Sequence, residues 1–526
     1  MEPFSILNPS AKPDEVNKPL FSRAFHDLKI TNILNVTPII ASGKMQKCDL
    51  VDFLTTDTET ISHRLDIFED LQNNAELFQL LKDTALPAIS NITTMSANLE
   101  ESEKSFIDQF VSVKQLNSYV EFIQKMHDSL AKLTLDSAGM QNFASKIASI
   151  YKSDEFNNLQ PNLQKINARL EKHIRSVTVG VNIDDLCNIT NMGIVSINEQ
   201  QYKPGSLMGK LLGQNAGDSF TLLTPIERTF KNSNAVLKSE KHEIMRSFRV
   251  AMGSLLKESV RSIPREITAY VKTQTQFLLG LASEISFLVA GHELIAKLKR
   301  LQMPVCKPVV SQTNHTHIKN LYHPILLDTT AGDELIKNSV SFDDSGMIYI
   351  LTGANSGGKS VFLHSIGIVQ IMFQLGLYVP ASEAAMRPVD NLCLHLPTEA
   401  AIQNFAGRLE QECMAFNEML KIATSGSLVL IDEAFSSTSA YDGSVLSEEL
   451  LKHFAKIGCR GIFSTHIHGL PVERINQNAA VKVDTLVAVS TEGKRMYAIA
   501  RQKPDGQSHA IDIAKKYGLL ISEEPS

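Results

Sequence analysis

The chain has 526 residues, 43% hydrophobic and 21% charged, so it is too long for a single hydrophobic core and has the make-up of a water-soluble protein of two or more domains. A net charge of −6 excludes a uniformly basic coat, while leaving room for a local Lys/Arg cluster facing nucleic acid. Cys48, Cys187, Cys306, Cys393, Cys413 and Cys459 lack the paired spacing of zinc sites and read as free thiols in a reducing compartment.

From the amino end, Pro3, Pro9, Pro13 and Pro19 mark residues 1–24 as an irregular arm. No basic stretch followed by an apolar run is present, so no secretion signal is predicted. Residues 25–310 follow as a mainly α-helical region. In "TISHRLDIFEDLQNNAELFQLL", Ile61, Leu65, Phe68, Leu71, Leu77 and Leu80 or Leu81 recur at three- and four-residue steps. A similar stripe joins Ile244, Phe248, Ala251, Leu255 and Ile263 before Pro264, and another runs through "QTQFLLGLASEISFLVAGHELIAKL". Glu284 interrupts the most apolar stretch, which falls short of a membrane span, and a soluble cytoplasmic protein is expected. Between 177 and 223, "VTVGVNI", "GIVSINE" and "FTLLT" predict a small strand-bearing insertion. Prolines then cluster, strands begin to alternate with helices, and an α/β domain is predicted over 311–526.

Chemistry concentrates in that last domain. "MIYILTG" reads as a buried strand and "KSVFLHSIGIVQIMFQLG" as a helix; between them Gly353-Ala354-Asn355-Ser356-Gly357-Gly358-Lys359-Ser360 fits G-x-x-x-x-G-K-[ST]. Glycines let backbone N–H groups close around phosphate oxygens, and the helix N-terminus adds partial positive charge. Lys359 is predicted to reach the β- and γ-phosphates of ATP, and the Ser360 hydroxyl to ligate Mg²⁺. "SLVLIDEAFSSTSAYDG" supplies an apolar strand ending in Asp432, a second metal-site residue, and Glu433, the candidate base for the attacking water. "GIFSTHIHGL" ends a third strand at Thr465-His466, where an imidazole can sense the γ-phosphate. The catalytic set is therefore Lys359, Glu433 and His466, in an ATPase.

From about residue 320 the chain resembles the ABC-type P-loop ATPase domain of MutS proteins. "NLYHPIL", "TGANSGGKSVFL", "LGLYVPA", "SLVLIDEAFSSTSAYDG", "STHIHGL" and "PDGQSHAIDIAKKYGL" follow in the family's order. Upstream, "TISHRLDIFEDL" resembles the start of the family's helical core, and "LASEISFLVAGHELIAKLKRLQMPVCKPVV" its lever helix. The resemblance implies that Asn338 lies at the nucleotide and that Leu335 and Ile336 stand where an aromatic often stacks on adenine. Two departures are visible. Phe435-Ser436-Ser437 replaces a common Gly-Arg-Gly before the matching Thr438 and Ser439, and Gly407, beside Arg408, takes the place of a serine offered across the dimer.

The resemblance further implies an ATP-joined homodimer in which Gly407, Arg408, Thr438 and Ser439 face the partner's nucleotide, with Arg408 as a charged substitute for the serine, and helical core, lever and clamp segments that close on DNA. No mismatch-reading domain or Phe-x-Glu wedge is recognised, so weakly sequence-specific binding to double-stranded or branched DNA is expected, through phosphates. Lys231, Lys238, Lys241, Arg246 and Arg249 are the candidate contacts. Repair proteins are candidate partners, a membrane is not, and an ATP-switched clamp on a protein is the alternative reading.

Overall fold

The structure is a computed structural model that describes residues 4–9, 16–36, 39–41, 44–46, 49–97, 106–173, 176–185, 189–198, 265–353, 357–396, 407–436, 438–467, 469–491 and 494–503. Helices α1 (Lys18–Asp27) and α2 (Ile30–Ile33) precede a hairpin of β1 (Ile39–Ala41) and β2 (Lys44–Gln46). Then come α3 (Thr58–Asn73), α4 (Ala75–Gln79), a π turn at Leu80–Ala85, and α5 (Leu86–Ala97). Helices α6 (Phe106–Leu130), α7 (Ala138–Tyr151) and α8 (Asp154–His173) lead to an antiparallel pair, β3 (Ser176–Ile183) and β4 (Ile189–Asn198). The long helix α9 (Arg265–Arg300) returns toward the second half.

Local chemistry explains these boundaries. Asp57 caps α3 by accepting from Thr60 N at 2.9 Å and Thr60 Oγ1 at 2.6 Å. Asn74 ends α3 and at once caps α4, accepting from Leu77 N at 3.0 Å. The stripe from Ile61 to Leu81 is thus shared by two helices and a π turn, and all its named members are buried. Helix α9 lays Leu278, Leu281, Ile285, Leu288, Ile295 and Leu298 into the same core, against α3 and α5. The stripe of Ile244 to Ile263 and the strand "FTLLT" lie outside the described residues.

The amino-terminal stretch corrects the expectation of an irregular arm over 1–24. Lys18–Asp27 is helical, with Phe21 and Ala24 buried, and Ile6 and Leu7 are buried too. Pro19 sits in the helix's first turn, where a missing N–H leaves no hydrogen bond unmade. Helix α1 packs beside the second domain, where Asn17 Nδ2 donates to Asn391 Oδ1 at 3.2 Å.

That second region holds two sheets. One has the order β5-β9-β6-β7, from β5 (Val309–Val310), β6 (Thr316–Leu321), β7 (Asn338–Phe342) and β9 (Glu383–Met386). The other has the order β10-β11-β12-β8-β13-β14, from β8 (Ile348–Gly353), β10 (Leu392–His395), β11 (Leu428–Asp432), β12 (Arg460–Ser464), β13 (Val483–Thr491) and β14 (Lys494–Ala500). Its strands are parallel except β14, and β11 and β12 are buried along their whole length, as a central parallel strand must be. Helices α10 (Lys359–Gln374), α11 (Arg408–Ile422), α12 (Ala440–Ile457) and α13 (Val472–Asn476) complete it. Cys306 and Val379 exchange backbone bonds at 3.1 and 3.0 Å, so the chain joins this region a few residues before 311. Among the described residues no helix is long and apolar enough to cross a membrane.

Candidate nucleotide site

Parallel register sets the site. Asp432 on β11 stands beside Ser464 on β12, and Ser464 beside Leu351 on β8, so three strands end together. Loops at such carboxyl ends converge on whatever the sheet can bind. Strand β8 ends at Gly353, φ +127, where a Cβ would lie 2.8 Å from Ala488 Cβ and 3.0 Å from Ala488 N on β13. Ala354, Asn355 and Ser356 lie outside the described residues. Gly358 caps α10 in the left-handed region at φ +90 and, as a glycine, supplies no side-chain cap. The amino end of such a helix carries partial positive charge, which suits an anion.

Lys359 is buried, and its Nζ donates to Gly353 O at 2.8 Å. Burial lowers its pKa, while the nearby Glu433 and Asp432 carboxylates pull it the other way. Ser360 follows on the exposed side of the same turn. Asp432, 1% exposed, has no hydrogen-bond partner for either carboxylate oxygen among the described residues. A buried carboxylate without donors is costly and suits a cation. A carboxylate so placed could serve Mg²⁺, which takes one or two protein oxygens and fills its shell with phosphate and water. Among the described residues no cluster of three His, Cys, Asp or Glu forms a dedicated metal cage, and this mode needs none.

Glu433 leaves the strand at φ +56, its N–H bonding Ser464 O at 3.0 Å. Its Oε1 lies 2.6 Å from His466 Nε2, so the expected base and sensor meet at the tips of β11 and β12. Asn338 stands across the edge of the site. Its Nδ2 donates to Tyr497 O at 3.1 Å and its Oδ1 accepts from Ile499 N at 2.7 Å, which ties β7 to β14. Ile336 is exposed and Leu335 buried.

The other expected positions are more dispersed. Gly407 is the exposed N-cap of α11, with nothing within 4 Å of where a Cβ would be. Arg408 opens that helix. Thr438 is half-buried, and Ser439 caps α12 by accepting from Asp442 N at 3.1 Å. Lys231, Lys238, Lys241, Arg246 and Arg249 lie outside the described residues.

Two residues enter the site that the sequence did not single out. Glu412 on α11 accepts from Phe435 N at 2.9 Å and so pins the loop behind the acidic pair. Its signal was present: Leu409, Glu412, Phe416 and Met419 have helical spacing, and a carboxylate in an apolar stripe needs a partner. Tyr497 lies against Gly358, and no local pattern in the sequence marks it.

The chain matches MutS domain V over residues 349–522 and the MutS2 N-terminal domain over residues 56–301. It is 34% identical over 193 residues to the DNA mismatch repair protein Msh6 of Gallus gallus, covering 34% of this chain and 14% of that one. It is 22% identical to the DNA mismatch repair protein MutS of Clostridium kluyveri, over 94% of this chain and 63% of that one. Endonuclease MutS2 of Bacillus velezensis is 24% identical over 68% of this chain and 42% of its own. The chain thus spans less than two thirds of these relatives. The two matched regions take in most of its length, and the chain belongs to the MutS family.

Proposed function

We propose that this chain binds and hydrolyses Mg·ATP, and that the nucleotide joins two copies into a clamp on DNA serving mismatch repair or a related recombination reaction. The reading rests above all on one convergence: Lys359, Asp432, Glu433 and His466 gather at the amino end of α10. The relatives named DNA mismatch repair proteins supply the DNA side of the proposal.

In this reading the Gly353–Ser360 segment wraps the phosphates, and Lys359 exchanges Gly353 O for phosphate oxygens. Ser360 and Asp432 would hold Mg²⁺, which supplies charge neutralisation on the phosphates when bound. Glu433 orients water and takes its proton. His466, bonded to that carboxylate, holds it in place and donates toward the γ-phosphate from the same strand tip. Asn338 and Ile336 border the nucleotide. Gly407, Arg408, Thr438 and Ser439 face the partner copy, and Lys231, Lys238, Lys241, Arg246 and Arg249 meet DNA phosphates.

The test is ATP turnover at two protein concentrations, with and without duplex, mismatched and four-way-junction DNA. Stimulation by DNA and a rise in specific activity with concentration are expected, and Lys359→Ala should lose tight ATP binding. Turnover unaffected by Lys359→Ala would overturn the site. Absence of DNA retention at ~50 mM salt, where phosphate contacts are strong, would instead favour a clamp on a protein partner.

A further inference from the structure

We propose that Glu412, on α11, is a positioning residue for Glu433, holding the loop that aims the base at its water; this rests on the nucleotide reading above. The two helices nearest the acidic pair lie on opposite faces of the sheet. Helix α10 packs, through Phe362 and Leu363, on the face of β11 that carries Leu428 and Leu430. Phe416 and Met419 of α11 belong to the other face, with Val429 and Ile431. The amino end of α10 therefore reaches the tip of β11 from one side, and α11 reaches it from the other.

Beyond that tip the backbone is strained. Glu433 stands at φ +56 and Phe435 at φ +57, both left-handed and both carrying a Cβ. Such conformations persist only where the surroundings over-determine them. Glu433 N is tied to Ser464 O at 3.0 Å, which fixes the entry to the loop. The exit is held by α11 at two points one helical turn apart. Glu412 Oε2 accepts from Phe435 N at 2.9 Å, and the Phe416 ring centroid lies 5.1 Å from that of Phe435. His395, at the end of β10, backs Phe416 at 4.6 Å between centroids.

Glu412 is 6% exposed. A carboxylate so far from water is retained where donors meet it, and here one donor is the amide two residues after Glu433. Glu433 Oε1 in turn lies 2.6 Å from His466 Nε2. A base must hold such a geometry to within a fraction of an ångström to act on a bound water. Without the Glu412 acceptor, the Phe435 N–H is left unpaired and the loop relaxes out of its left-handed turns, taking Glu433 with it. Lys359 and the amino end of α10 lie on the other face and keep their hold on phosphate. Glu412 therefore sets the rate of water attack and leaves the affinity for nucleotide alone.

Three substitutions separate acceptor, charge and reach. E412Q keeps an acceptor at full length without the charge, E412D keeps the charge and falls one methylene short, and E412A keeps neither. In the ligand-free chain, amide hydrogen exchange over residues 433–436 should quicken about tenfold in E412A and E412D and stay parental in E412Q. With Mg·ATP, single-turnover hydrolysis should fall about tenfold in E412A and E412D, while the Kd for ATP stays within about twofold. E412Q should match the parental chain in both. Parental hydrolysis in E412A, an E412Q as slow as E412A, or a Kd weakened as much as the rate falls would overturn the positioning role alone. If E412A does not fold, E412Q against E412D decides the same question. A parental chain that neither binds nor hydrolyses ATP would overturn the nucleotide reading together with it.

Discussion

Phe435 is where the loop behind the acidic pair can be tested most sharply. It stands at φ +57, in the position where the MutS pattern commonly has glycine. The left-handed backbone costs a residue with a Cβ about 1–2 kcal/mol. Burial offsets that cost: the ring is 5% exposed, its centroid 5.1 Å from that of Phe416, and its amide donates to Glu412. Phe435→Ala removes the ring and keeps the strain, so it should lose ~3–5 kcal/mol. Phe435→Gly loses the same contacts and relieves ~1–2 kcal/mol of strain. Glycine's extra freedom in the unfolded chain takes back ~0.5–1 kcal/mol. The expected order is parental, then Gly, then Ala, with the two variants separated by ~0.5–1 kcal/mol. Equilibrium urea denaturation at 25 °C followed by far-UV circular dichroism measures this, since no tryptophan is available. An alanine variant more stable than the glycine variant would refute the left-handed backbone and the offset argued from it.

Mg·ATP at a hundredfold excess over Kd stabilises by ~2.7 kcal/mol, and Asp432→Ala should abolish the part of that thermal shift that depends on Mg²⁺; an undiminished shift with Mg²⁺ would remove Asp432 from the metal site. Gly407→Ser meets nothing within 4 Å. It should change stability by no more than ~0.5 kcal/mol, while raising the concentration-dependent part of ATP turnover; unchanged turnover would remove position 407 from the partner's nucleotide. His323 is buried beside His364, ring centroids 5.9 Å apart, and burial lowers its pKa to about 4. Between that value and the ordinary ~6.5 the unfolded chain binds the extra proton, so the stabilisation is complete above ~6.5 and is lost as pH falls toward 4. The full loss is on the order of 3 kcal/mol, and His323→Asn should flatten the decline in urea titrations between those pH values.

The strand and helix that flank the candidate phosphate loop were legible because each carries its own periodicity, and the loop pattern Gly353 to Ser360 is contiguous in sequence. Asp432 and His466 were legible for a related reason, since each follows an apolar run that ends at the same edge of the sheet. What escaped was set by long-range packing. Tyr497 reaches Gly358 through a bulge that depends on Asn338, 159 residues away in sequence. The prolines of the first twenty residues signalled irregular chain, yet Ile6, Leu7 and Phe21 find a core supplied by later helices. Arg64 looks like an ordinary charge on an amphipathic helix and is 2% exposed.

That buried arginine bears on how the two regions act together. Helix α10 begins at the phosphate loop and ends at Gln374. There Gln374 O accepts from Thr55 N at 3.2 Å, Gln374 Nε2 donates to Thr55 O at 3.3 Å, and Leu375 O accepts from Arg64 Nη1 at 3.4 Å. Arg64 also donates to Phe53 O, to Leu7 O at 3.2 Å and to Asn8 Oδ1 at 2.7 Å. Ile6 N and Ser5 Oγ in turn donate to Glu284 of α9 at 2.6 Å, and burial raises the pKa of that carboxyl. Gly376 and Gly291 let α3, α9 and the end of α10 approach closely, since a Cβ at either would lie 2.5–2.6 Å from Arg64 or Phe68. A packed interior of this kind shifts as rigid units and deforms little. A displacement of α10 at its phosphate end must therefore either move α3 and α9 with it or break buried hydrogen bonds to Arg64, each worth ~1.5–3 kcal/mol when a charged group is involved. In the function proposed above, the seam around Arg64 would therefore couple the phosphate end of α10 to the helical region.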